Sequence, residues 1–197
     1  DIELFANSEN DNIPDLIKIA LIHYQFETIH PFLDGNGRTG RLLITLYLVS
    51  KGILKRPVLY LSDFFERHRM LYYDNLTRAH THNDIAQWLK FFLTGIIETA
   101  QKGADTLNAV MQLKETVEKK FDKLGKRGAD ARTVLNAMYK NPVISPTEVT
   151  ALIRKSPQTA YNLIADLERE GILKTITDAR RNRLYVFEPY INLFKTL

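Results

Sequence analysis

Cysteine is absent from all 197 residues, which excludes disulfides and thiolate metal sites and fits a reducing compartment; a cytoplasmic protein is expected. Long apolar runs are also missing. The stretch "LLITLYLV", Leu42 to Val49, is far too short to cross a bilayer, so no membrane partner is expected. Glycine is sparse, yet three of the nine, Gly35, Gly37 and Gly40, fall within six residues. Glycine gives up side-chain contacts and costs conformational entropy. Such a cluster makes sense where something must come close to the backbone.

Charge is present but uneven. From Lys126 onward the chain holds 12 of its 27 basic and 7 of its 23 acidic residues, while the rest is nearly neutral. A basic C-terminal third favours an anionic partner there.

Helical spacing dominates the first part. "IPDLIKIALIHYQFETIHPF" reads as a largely buried helix from near Pro14, ended at His30 by Pro31. A second helix is expected from about Gly37 to a glycine C-cap at Gly52. "SDFFERHRMLYYDNLTRAH" reads as a single third helix capped by Ser62. A fourth is capped by Asp84, and a separate amphipathic helix ends at Gly125. From Asp130 three short helices, two opened by Ser-Pro, precede two alternating stretches, "ILKTIT" and "RLYVFE". Helix, helix, helix, hairpin resembles a winged helix-turn-helix. The expected fold is therefore mainly α: an all-α helical core over residues 1–105, a linking helix over 106–127, and a small α+β winged-helix-like domain over 128–197.

The sequence "HPFLDGNGRTGR", residues 30–41, carries the chemistry. "GNGRTG" fits a dinucleotide-binding fingerprint, but no strand precedes it and no βαβ unit surrounds it. It fails as a P-loop, because Arg41 and Leu42 follow Gly40 where Lys and Ser or Thr belong. A plain inter-helix turn explains one glycine, not three. A loop entering a helix N-terminus, by contrast, offers free backbone amides and a positive dipole end to an anion. Gly35 and Gly37 would let those amides approach phosphate oxygens, with Asn36 adding a side-chain donor. Arg38 and Arg41, three apart, share a face and could hold further phosphates. Asp34 would repel phosphate unless Mg²⁺ lay between them. An imidazole changes protonation near neutrality, and His30, at the end of the preceding helix, is the natural general base.

At every fixed position this stretch matches H-P-F-x-[D/E]-G-N-G-R-x-x-R, and the N-terminal half resembles the Fic family. The resemblance implies transfer of AMP from ATP to a Tyr, Thr or Ser hydroxyl of a target protein or of the enzyme itself, releasing pyrophosphate. It implies His30 as the base, Asp34 as the Mg²⁺ ligand, and nucleotide contacts from Gly35, Asn36, Gly37, Arg38, Thr39, Gly40 and Arg41, with Phe32 as a buried anchor of the loop. Tyr72 and Tyr73 are candidates for the adenine contact, with His80 a further one. The family's inhibitory pattern [S/T]-x-x-x-E-[G/N] has no match here. Its target-docking flap lies upstream of the motif, and only 29 residues precede His30, so a truncated or partial chain is expected. Other histidines offer no zinc pair; His23, seven residues before His30, reads as a satisfied structural histidine.

In the C-terminal module Gln158, Thr159 and Tyr161 would open the recognition helix. Arg154, Lys155, Arg180, Arg181 and Arg183 would reach phosphates, if the partner is DNA rather than protein or a second copy of the chain. Two alternatives stay open for the whole: a nucleotide-sensing DNA-binding regulator, and a Fic-type transferase using another nucleotide.

Overall fold

Helices account for most of the chain. The computed structural model describes residues 1–8, 12–56, 58–177 and 183–195, which divide into two compact units, Asp1–Ala104 and Asp105–Leu197. Among the described residues no helix is long and apolar enough to cross a membrane.

The first unit is all-α: α1 (Ile2–Asn7), α2 (Asp15–Ile29), α3 (Asn36–Ser50), α4 (Leu61–Arg67), α5 (Arg69–His82) and the start of α6 (Ile85–Phe121). The nearly all-round apolar pattern of α2 matches its position, with Ile19, Ala20 and Ile22 buried. Trp88 is also fully buried, and its indole N–H donates to the Ala20 carbonyl at 3.0 Å, so the ring packs without stranding a polar group. Phe64, Phe65 and Phe92 complete an aromatic core around α2.

Three expectations change here. The third helix is two, α4 and α5, broken at His68, and Ser62 lies inside α4, whose N-cap is Tyr60. The fourth and fifth are one 37-residue helix, α6. A single glycine such as Gly103 costs a helix only about 1 kcal/mol, which the good helix formers beside it absorb. The short α1 has too few residues for a periodic signal. The Asp84 cap is present, its carboxylate accepting from the Gln87 N–H at 3.3 Å.

The second unit holds the end of α6, a 3₁₀ stretch (Asp122–Arg127), α7 (Gly128–Met138), α8 (Pro146–Ile153), α9 (Pro157–Arg169) and α10 (Glu188–Lys195). Its antiparallel sheet has the order β1-β3-β2, with β1 Val143–Ile144, β2 Lys174–Thr175 and β3 Tyr185–Val186. The strands are much shorter than the alternating stretches that announce them. Strand β1 is a two-residue partner with no periodicity to read. The two Ser-Pro starts are true caps: Ser145 and Ser156 accept from the amides of Glu148 and Thr159. Val134, Leu163, Ile164 and Phe187 centre a separate core.

Candidate functional site

Helix α2 ends as the sequence requires. His30, before Pro31, takes a left-handed conformation (φ 51°, ψ 56°) and turns the chain toward α3. Its side chain is exposed, with Nδ1 3.4 Å from the Glu27 carbonyl oxygen. That oxygen can only accept, so Nδ1 is the donor in this contact.

The next turn is built for backbone approach. Gly35, at φ +84°, is the N-cap of α3, a conformation that favours glycine. The first intrahelical bond runs from the Thr39 N–H to the Gly35 carbonyl at 3.0 Å. The amides of Asn36, Gly37 and Arg38 therefore face out of the positive end of α3. The Arg38 guanidinium lies over Gly35 and that of Arg41 over Gly37, both 3.5 Å from where a Cβ would stand. The carboxylate of Asp34 accepts from the Gly35 N–H at 2.7 Å and meets Arg38 at 3.4 Å. Both charged side chains are largely exposed, so that ion pair holds them only weakly.

The side chain of Asn36 has a different task from the donor role its position suggested. It is 2% exposed, accepts from the Phe32 N–H at 2.8 Å and donates to the Phe32 carbonyl at 2.5 Å, closing the loop on itself. Only its backbone remains for a ligand. Phe32, expected as a buried anchor, is 50% exposed and merely touches the Phe26 ring, because the Asn36 clamp fixes the loop through the backbone instead.

A cleft of about 330 Å³ gathers His30, Asp34, Gly35, Asn36, Gly37, Arg38 and Arg41 with Tyr72 and Tyr73. Thr39 and Gly40 do not line it. The Thr39 hydroxyl donates to the Gly35 carbonyl, and Gly40 is buried, where a Cβ would run into Glu27. Tyr72 is nearly buried, whereas Tyr73 is half exposed below Arg69. His80 lines a neighbouring cleft with Glu27 and Thr28.

Leu33, Phe65, Glu66 and Arg69 complete the motif cleft, and sequence reasoning missed them. The one available signal was the four-residue step from Arg69 to Tyr73, which puts Arg69 on the same helix face one turn before a residue already singled out. Glu27, one turn before His30, went unread too; burial raises its carboxyl above the usual range, against the pull of His30 and Arg41.

In the second unit Tyr161 is 52% exposed near the start of α9, while Gln158 bonds Asn162 and Thr159 bonds Ser156. Lys155 is paired with Asp130 at 2.6 Å. Arg180 and Arg181 lie outside the described residues; Arg183 lies within them, just before β3.

Fold and site together define a class: mainly α proteins that present a glycine turn, a helix N-terminus and two arginines beside a histidine. Residues 1–48 match the Fic/DOC family model. A protein adenylyltransferase Fic of Nematostella vectensis is 38% identical over 99 residues, 46% of this chain and 22% of its own. A probable protein adenylyltransferase of Aquifex aeolicus (strain VF5) is 50% identical over 46 residues, 23% of this chain and 14% of its own. Among solved structures, a Fic family protein from Desulfovibrio desulfuricans G20 gives a TM-score of 0.46 at 22% identity, covering 91% of this chain and 51% of that one. The chain spans no more than 22% of the length of these two curated relatives.

Proposed function

We propose that the first unit binds ATP with Mg²⁺ and transfers AMP to a Tyr, Thr or Ser hydroxyl of a protein, a target or this chain itself. The observation that carries the reading is the single cleft in which an outward imidazole, an exposed carboxylate, a glycine-opened helix N-terminus and two guanidiniums meet. The matching relatives named as adenylyltransferases support it.

The amides at the start of α3 would hold the phosphates, with Arg38 and Arg41 neutralising the charge toward the terminal one. Nε2 of His30 would take the proton of the acceptor hydroxyl as its oxygen bonds the α-phosphorus. The bond from that phosphorus to the bridging oxygen breaks, and pyrophosphate leaves. Asp34 fits a Mg²⁺ ligand: its exposed carboxylate is a hard oxygen donor at the mouth of the phosphate cradle, and this cation commonly binds one or two carboxylates plus phosphate oxygens. When bound, the ion would neutralise charge on the phosphates. Tyr72 and Tyr73 would form the wall nearer the nucleoside. A protein given ATP labelled on its α-phosphate should label itself or a lysate protein, and His30→Ala should remove the label. Label delivered only from the γ-phosphate would point to a kinase instead.

For the second unit the helices α7 to α9 with the small sheet support a winged-helix-like binding module. The pairing of Lys155 with Asp130 takes up one of the expected phosphate contacts and favours a protein partner or a second copy over DNA.

A further inference from the structure

The buried polar groups beneath the motif form one continuous path. His23, two turns before His30 on α2, is fully buried and stacks with the rings of Phe65 and Trp88 at 5.7 and 6.0 Å. Its Nδ1 lies 3.0 Å from the Gly40 carbonyl oxygen, and its Nε2 lies 3.0 Å from the Tyr72 hydroxyl. A carbonyl can only accept, so Nδ1 carries a hydrogen. Burial, with the Arg41 charge nearby, opposes a second proton, against a smaller contribution from the Gly40 bond, and holds the imidazole at a pKa of about 4. Nε2 therefore keeps its lone pair, and the Tyr72 hydroxyl donates to it. The contact with α3 is close as well. A Cβ on Gly40 would stand 3.1 and 3.2 Å from the His23 ring and would run into the Glu27 carboxylate.

We infer that His23 is a positioning residue: through its Nδ1–H tautomer it couples the Gly40 carbonyl of the motif helix to the Tyr72 side chain on the cleft wall. Helix α2 thereby sets the spacing between phosphate cradle and opposite wall from below, while it also carries His30. The path joins residues 17 and 49 positions apart in sequence, so no local pattern announces it. Its effect on nucleotide affinity, and only that part, rests on the function proposed above.

The test has a ligand-free arm and a nucleotide arm. Long-range ¹H–¹⁵N spectra of the unsubstituted chain should show His23 as the Nδ1–H tautomer, a measurement that no folding defect can confuse. Tyr72→Phe should shift the amide of Arg41, which follows the Gly40 carbonyl, and should leave it still when His23→Asn is already present. An Nε2–H tautomer, or an Arg41 amide indifferent to Tyr72→Phe in the parent chain, would overturn the coupling. In the nucleotide arm, His23→Asn and Tyr72→Phe should each weaken Mg·ATP binding about tenfold, the worth of one buried hydrogen bond. The double variant should bind no worse than the weaker single one. Additive losses, or two folded single variants with unchanged affinity, would refute the positioning role. A parent chain that binds no nucleotide, yet returns the expected tautomer and Arg41 shift, would sink the proposed function and leave the coupling standing.

Discussion

His23 shows how much one buried side chain settles. Its pKa falls from 6.5 to about 4, chiefly through burial. Between those values the unfolded chain binds a proton that the folded chain refuses, so stability rises with pH across that window. The contribution is fully present above 6.5 and is lost as pH falls through 4. At 1.36 kcal/mol per pKa unit the difference amounts to about 3 kcal/mol. Trp88, the single tryptophan, stacks on the same ring and reports the first unit directly. Urea unfolding followed by its fluorescence should lose stability between pH 7 and 4.5, and His23→Asn should flatten that loss. An equally steep loss in the variant would assign the acid sensitivity to other groups.

At the scale of elements, helix ends are where this sequence speaks most plainly. Ser145 and Glu148 form a reciprocal box: the Ser145 N–H donates to the Glu148 carboxylate at 2.7 Å, and the Ser145 hydroxyl oxygen accepts from the Glu148 N–H at 3.3 Å. The Ser145 hydroxyl, which donates to that carboxylate at 2.7 Å, together with the Ser145 N–H, holds the Glu148 carboxyl below its usual range. Ser145→Ala should cost about 1 kcal/mol of stability in the second unit, read as a lower thermal midpoint by circular dichroism. No change would mean that Pro146 alone starts α8. Caps are legible because donor and acceptor lie within three residues of each other. The same locality explains the end of α2 at His30 and the glycine N-cap of α3. The misreadings have other causes: the break at His68 belongs to the packing of α4 and α5, and α6 runs on through Gly103 because the helix formers beside it absorb the cost of one glycine.

For the molecule as a whole, each unit carries a hydrophobic core of its own. Every buried residue of one cluster lies at or before Ile96, and every buried residue of the other at or after Val117. A domain with its own core should fold without the rest. Residues 105–197 produced alone should therefore unfold in one cooperative transition. A gradual, non-cooperative loss of helix signal would show that this core depends on residues outside it.

By itself the sequence determined the helical class, most helix ends and the residues of the glycine turn, because these follow from contacts a few positions apart. Tertiary structure alone decided that Tyr72 bonds His23 across 49 positions, that Glu66 and Arg69 join the cleft, and that Phe32 stays exposed. The physical reason is range: backbone hydrogen bonds and caps close within one turn, whereas the wall opposite the motif exists only once α4 and α5 pack over α2.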